Sequence, residues 1–237
     1  MQHQLPLEFN FNNEYTLSLF IPGINNELLV ALKNIKSSEI PIIYFWGQPG
    51  VGKTHLLQAL CQSDVFAEQP VALIPLDAKE NVESYAPQIL EGLEKMSLVC
   101  IDDINNVAGN NDWETALFHF YNRARDIKTP LVISGDKPPV QLEISLPDLK
   151  TRLGWGLVIQ LHGLRDEEKL NALRLRAKHR GIELSDDVGE FLLRRYSREM
   201  HDLMALLDVL DKASLTEQRR LTIPFVKQYM KNAGTDL

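Results

Sequence analysis

Five short apolar runs punctuate the first two thirds of the chain, at 40–46, 71–76, 97–101, 130–134 and 157–161, each bounded by turn-forming residues. Val, Ile and Leu fill successive positions in them rather than alternate ones. Near-continuous apolar strands are those of a parallel sheet covered on both faces. Between the runs the period lengthens. Trp113, Ala116, Phe120 and Ala124 fall on one face at helical spacing, and core packing is the ordinary fate of such a stripe. Strand alternating with helix predicts an α/β doubly wound architecture on a five-stranded parallel sheet.

After Gly163 the pattern is helical only. Asp166 is placed to cap a first helix, with Glu167 and Glu168 in its first turn, Lys178, His179 and Arg180 in its last, and Gly181 as the stop. Acid at the start and base at the end both complement the helix dipole. Leu170, Leu173 and Ala177 supply its buried stripe. Arg174, Arg176, Lys178 and Arg180 read as a solvated face, the other reading being a partner-binding patch. A second helix opens at Ser185 and runs to about Arg195, a third spans about Glu199 to Ser214, and Pro224 starts a fourth with Phe225 and Tyr229 on one side. The predicted organisation is an extended tail over 1–16, an α/β domain over 17–163 and a small helical domain over 164–237.

Composition narrows the function classes. The chain has 237 residues, is 44% hydrophobic and carries a net charge of -7. That acidic balance suits a broad duplex-binding face poorly, since phosphate contacts need Lys and Arg, although a local basic patch stays open. The two cysteines, Cys61 and Cys100, have no metal-ligand spacing and read as buried, reduced thiols of a cytoplasmic protein. The six histidines are scattered. The N-terminus lacks a basic n-region followed by a long apolar run, and no apolar stretch has the length of a membrane span.

The segment Gly47-Gln48-Pro49-Gly50-Val51-Gly52-Lys53-Thr54 follows the first apolar run and opens a helix. This is the context in which a glycine-rich loop cradles phosphates. Glycines let the backbone wrap an anion closely, and the helix N-terminus adds a positive field. Lys53 should reach the β- and γ-phosphates, and Thr54 should bind magnesium. The partner motif is an apolar strand ending in acid, Ser97-Leu98-Val99-Cys100-Ile101-Asp102-Asp103. An acidic pair at the mouth of a buried strand is costly unless it meets a cation. Asp102 would hold the metal through its water shell, and Asp103 would orient the attacking water or take its proton. Asp at the second position is one methylene shorter than Glu, which predicts slow turnover. Asp136, after the run 130–134, has two readings: a contact near the γ-phosphate, or initiation of the turn at Pro138-Pro139.

At these residues the chain resembles the AAA+ ATPases, and among them the bacterial replication initiator DnaA, over roughly residues 17 to 232. The likeness rests on Ile101-Asp102-Asp103-Ile104, on Ser134-Gly135-Asp136-Lys137-Pro138-Pro139, and on Leu149-Lys150-Thr151-Arg152-Leu153-Gly154-Trp155-Gly156-Leu157. The resemblance implies an AAA+ P-loop fold with a helical lid, ADP or ATP with Mg2+ as ligands, Asp136 as a first sensor, and Arg152 as an arginine finger acting on a neighbouring subunit's nucleotide. Ile21 and Pro22, in Phe20-Ile21-Pro22-Gly23-Ile24-Asn25, would cover the adenine. Pro49, Gly50, Val51, Gly52, Lys53, Thr54, His55 and the lid residue His201 would complete the nucleotide contacts. DnaA-like lids carry arginine where this chain has His201, and Arg198, one turn earlier, is the other candidate. Histidine is only partly charged near neutral pH and lacks the arginine fork.

Two features imply a narrower likeness. Nothing after the lid corresponds to the initiator's DNA-reading domain, so direct sequence-specific duplex binding is not expected. The start, Gln4-Leu5-Pro6-Leu7-Glu8-Phe9, resembles the short peptide by which bacterial proteins bind the DNA sliding clamp. An exposed peptide of this kind lays Leu7 and Phe9 into an apolar pocket while Gln4 finds hydrogen bonds. Together these resemble the DnaA-related regulators that sit on the DNA-loaded clamp and trigger ATP hydrolysis by DnaA. The alternative is an AAA+ loader that delivers a helicase or clamp to DNA. A homo-oligomer, most simply a dimer, is expected of either.

Overall fold

Each of the five apolar runs forms a strand, and the expected stripe Leu170, Leu173 and Ala177 of the first helix after Gly163 is buried. The computed structural model describes residues 12–76 and 86–232. They fall into two compact units, one holding Asn25–His162 with the stretch before Ser18, the other holding Ser18–Ile24 with Gly163–Leu237.

The first unit contains α1 (Asn26–Lys33), β1 (Ile42–Trp46), α2 (Lys53–Cys61), β2 (Val71–Pro75), β3 (Leu98–Asp102), α3 (Asn111–Asp126), β4 (Leu131–Gly135), α4 (Pro147–Leu153) and β5 (Leu157–Gln160). The strands form one parallel sheet in the order β2-β3-β4-β1-β5. Trp46 aligns with Gly135 on one side and Gln160 on the other, while Asp102 aligns with Pro75. The C-terminal ends of β1, β3 and β4 therefore meet at one edge of the sheet, the place where open α/β sheets bind ligands.

Residues of β1, β3 and β4 make one core with Trp113, Leu117, Phe120, Tyr121 and Ala124 of α3. The buried face of α3 thus differs slightly from the expected stripe: Ala116 is only half-buried, and Leu117 and Tyr121 are buried in addition. A second departure is β5. Leu157 and Val158 are 41% and 36% exposed, because β5 is one of the sheet's two edge strands and, unlike β2, is not covered on both faces. A run of apolar residues does not reveal whether a strand is central or at an edge. Helices α1 and α4 have only eight and seven residues, too few for a periodic signal.

The second unit contains α5 (Asp166–His179), α6 (Asp186–Arg195), α7 (Met200–Glu217) and α8 (Ile223–Asn232). Leu173, Leu192, Leu203, Leu207, Leu210, Phe225 and Val226 form its core. Asp166 is the first helical residue rather than the cap. The cap is Arg165, whose N–H donates to the Glu168 carboxylate at 2.7 Å. Gly181 ends the helix with φ of 76°. The expected solvated face of α5 needs correction. Arg176 is buried, Arg180 pairs with Asp208 of α7 at 2.6 Å, and Arg174 pairs with Asp186 at 2.5 Å. Lys178 alone of the four is exposed as expected; the Arg stems pack while the heads of Arg174 and Arg180 find acids. Among the described residues no helix is long and apolar enough to cross a membrane.

Candidate functional site

The chain leaves β1 at Gly47, whose N–H donates to the Gly135 carbonyl at 3.1 Å. A Cβ on Gly47 would lie 2.5 Å from the Leu161 carbonyl oxygen, so close packing demands glycine there independently of any ligand. Gly50 and Gly52 have φ of 79° and 105°, a backbone that L side chains rarely adopt. Gly52 is the N-cap of α2, and no side chain caps that helix. The first amides of α2 and its positive dipole end are left without a side-chain acceptor, the local condition for anion binding.

Lys53 is buried, and its ammonium lies 3.2 Å from Asp103 Oδ1 and donates to the Gly47 carbonyl at 3.3 Å. The Thr54 hydroxyl donates to Asp102 Oδ2 at 2.6 Å, and the Ser134 hydroxyl donates to Asp102 Oδ1 at 2.5 Å. Ser134 Oγ in turn accepts the Asp103 N–H at 2.8 Å. Burial raises the pKa of Asp102; the hydrogen bonds from Ser134 and Thr54 pull it back, Asp103 raises it further and Lys53 lowers it. Asp103 sits in the left-handed region with φ of 53°, where β3 ends and the turn Ile104–Val107 begins.

Asp136 follows β4. Its N–H donates to Asn105 Oδ1 at 3.1 Å, while its own Oδ1 is buried with no hydrogen-bond partner among the described residues. The Tyr44 hydroxyl donates to the Lys137 carbonyl at 2.6 Å. Burial first, then the charges of Asp136 and Asp103, push its pKa well up, so it stays a neutral donor. A Cβ on Gly135 would fall 2.1 Å from that hydroxyl.

The strand ends thus bring together Lys53, Thr54, Asp102, Asp103 and Asp136, all singled out by sequence. The acid exceeds the base, and one carboxylate oxygen lacks a donor. Among the described residues no three His, Cys, Asp or Glu side chains group closely enough to hold a metal by themselves. A cation here would combine Thr54 and Asp102 with oxygens of a phosphate and water, as magnesium does. The glycine-shaped loop, the uncapped helix start and the orphaned Asp136 oxygen fit a magnesium–nucleotide.

The other expected site residues divide between the two units. His55 stacks on Tyr15, with ring centroids 4.8 Å apart, and its Nε2 is 3.1 Å from the Thr16 carbonyl oxygen. Ile21 and Pro22, both half-buried, belong to the second unit, as does His201, exposed in the first turn of α7. Arg198 is exposed, 3.9 Å from Asp166. Gln4, Leu5, Leu7 and Phe9 lie outside the described residues.

Arg152 sits in the last turn of α4. Its guanidinium lies 4.6 Å from the ring centroid of Phe118 and 4.9 Å from that of Trp155. It bonds neither Asp148 nor a backbone carbonyl, and its Nη1 is buried without a hydrogen-bond partner among the described residues. Sequence reasoning assigned no role to Ser134, Tyr44, Asn105, Phe118 or Trp155. Their only signal is a polar or aromatic residue next to a motif.

Two family models match the chain. The model of the bacterial DnaA ATPase domain covers residues 11–160, and that of the Hda lid domain covers 166–230. Among solved structures, domain III of the Thermotoga maritima replication initiation protein DnaA is 22% identical with a TM-score of 0.76, over 94% of this chain and 98% of that one. AMPPCP-bound DnaA from Aquifex aeolicus is 21% identical with a TM-score of 0.67, over 85% of this chain and 66% of that one. The RuvB Holliday junction branch migration motor of Thermotoga maritima is 17% identical with a TM-score of 0.67, over 92% of this chain and 71% of that one. At these identities the structures establish a shared fold, a five-stranded AAA+ sheet followed by a helical lid. Since the DnaA model spans well over half of its residues and the Hda lid model takes up where it ends, the chain belongs to the bacterial DnaA ATPase-domain family, as an Hda-like, DnaA-related AAA+ protein.

Proposed function

We propose that this chain is a nucleotide-bound regulator of DnaA, tethered to the DNA sliding clamp, that stimulates ATP hydrolysis by DnaA and so represses re-initiation of replication. The observation that carries the reading is Arg152: a guanidinium paired with no acid among the described residues, on a short helix, in a chain that joins a DnaA-type ATPase domain to an Hda-type lid.

In this reading ADP or ATP lies on the loop Pro49, Gly50, Val51 and Gly52, with Lys53 on the phosphates and Mg2+ on Thr54 and Asp102. The bound nucleotide supplies the negative charge that the uncapped start of α2 and Lys53 are arranged to meet. Asp103 releases Lys53 when phosphate replaces its carboxylate, and is then free to orient a water. The unpaired oxygen of Asp136 faces the same end of the sheet as a sensor. Ile21 and Pro22 cover the base, and His201 contributes from the lid.

Arg152 acts on the ATP of a DnaA subunit, where a guanidinium neutralises charge developing on the γ-phosphoryl oxygens. Fingers of this kind contribute about 10³–10⁵ in rate. The test is hydrolysis by ATP-bound DnaA in the presence of clamp-loaded DNA. Wild type should stimulate it, and Arg152→Ala should lower stimulation at least about a hundredfold, while still binding ADP and the clamp. Full stimulation by Arg152→Ala would remove the finger from this residue.

A further inference from the structure

Among the described residues no carboxylate pairs with the Arg152 guanidinium. Here two aromatic rings take its place, Phe118 from α3 and Trp155 just beyond α4. We propose that Trp155 is a positioning residue for Arg152: its indole holds the guanidinium in place without a carboxylate, ready for the phosphoryl oxygens of a nucleotide presented by a partner subunit. This rests on the reading of Arg152 given above and adds the device that prepares it.

The frame around the pair is rigid. Leu149 and Leu153 anchor α4 in the core. The Trp155 N–H donates to the Arg152 carbonyl at 2.9 Å, and the Gly154 N–H donates to the Thr151 carbonyl at 3.1 Å, so Trp155 continues the last turn of the helix. Residues three apart on such a turn share a face. On the other side, a Cβ on Gly156 would lie 2.4 Å from the Ile42 carbonyl oxygen. Glycine there lets the chain press against β1 before β5 begins, and that contact fixes where the indole emerges.

The chemistry favours a ring over an acid. A carboxylate would neutralise Arg152 and would have to be pulled away before the guanidinium could meet a phosphate. An aromatic ring holds the guanidinium by its charge without accepting its N–H hydrogens, so Nη1, buried and without a partner among the described residues, keeps its hydrogen-bonding capacity. Trp155 is 49% exposed, so the indole is kept at the surface rather than folded inward. Arg125 also faces this ring, at 5.5 Å, but it has its own counter-charge in Asp126 at 3.1 Å and does not displace Arg152.

The experiment compares Trp155→Leu and Trp155→Phe in the full chain, beside wild type and Arg152→Ala. One readout is the plateau of stimulated DnaA hydrolysis and the regulator concentration that gives half of it. Losing one cation–π contact should cut the plateau about threefold to tenfold in Trp155→Leu, with the half-maximal concentration nearly unchanged. Trp155→Phe, which restores a ring face, should recover most of the plateau. The second readout needs no partner: the Arg152 Nε–Hε resonance, identified by its loss in Arg152→Lys. Ring current should hold it upfield in wild type and in Trp155→Phe, and Trp155→Leu should move it downfield. A wild-type plateau together with an unmoved resonance in Trp155→Leu would overturn the positioning role alone. Undiminished stimulation by Arg152→Ala would overturn the finger reading, and this proposal with it.

Discussion

Lys53 shows how much one residue can hold. Its ammonium is within 3.2 Å of Asp103, and in the proposed reading it is the cation that meets phosphate. Lys53→Ala should weaken ADP binding by at least about a hundredfold, since it removes the charge-assisted contact and leaves Asp102 and Asp103 facing the incoming anion. Calorimetry decides it: equal ADP affinity in mutant and wild type would place the nucleotide elsewhere. The loop and its acidic partner strand were legible because eight consecutive residues spell a backbone shape and four apolar residues lead into two acids. Ser134 and Tyr44 were not. Each is one hydroxyl in an apolar run, and its partners, Asp102 for Ser134 and the Lys137 carbonyl for Tyr44, come from the pairing of β4 with β3 and β1. Strand order is a property of the folded sheet that no local spacing reveals.

At the scale of elements, long periodic segments were legible and short ones were not. Helix α5 buries the stripe that its sequence announces and α3 buries most of its own, whereas α1 and α4 fall below the length at which period can be counted. The helix that carries Arg152 is therefore set by what flanks it: a proline at its start, Gly154 at its end and Gly156 against β1. Gly156→Ala would bring a methyl to 2.4 Å from the Ile42 carbonyl oxygen, a backbone atom that cannot rotate aside. We expect a loss of about 1–3 kcal/mol in stability, read as a lower urea midpoint of the unit that contains the sheet. The same substitution should lower stimulation of DnaA, because the turn bearing Trp155 shifts with the strand. An unchanged urea midpoint would mean that β5 moves away from β1 freely and that Gly156 has no part in fixing Arg152.

At the scale of the molecule, the chain divides into two compact units that, Ser18–Ile24 apart, part after His162, and the family matches change near the same place, ending at 160 and resuming at 166. The stretch before Ser18 is not a bystander to the first unit. Gln58 Oε1 accepts the Asn12 N–H at 3.1 Å, Gln62 Nε2 donates to the Tyr15 carbonyl at 3.0 Å, and His55 meets Thr16, all from one face of α2. The peptide Gln4-Leu5-Pro6-Leu7-Glu8-Phe9 precedes this attachment. If it binds the clamp, the clamp is joined to the nucleotide-binding helix by a short stretch of chain, and the regulator is held wherever the clamp is loaded on DNA. Leu7 and Phe9 are the apolar anchors that such a peptide needs. Burying two side chains of this size is worth about 3–6 kcal/mol, most of the affinity a short peptide has. Replacing both with Ala should therefore raise the dissociation constant for the clamp by about a hundredfold or more. ADP binding should not change, since the cradle lies beyond the attachment at Asn12–Thr16. Stimulation of DnaA should fall at ordinary concentrations and return when the variant is added in large excess, because tethering raises local concentration without making a new contact. Retention of the double variant by immobilised clamp at wild-type strength would show that the tether, if there is one, is another surface of the protein.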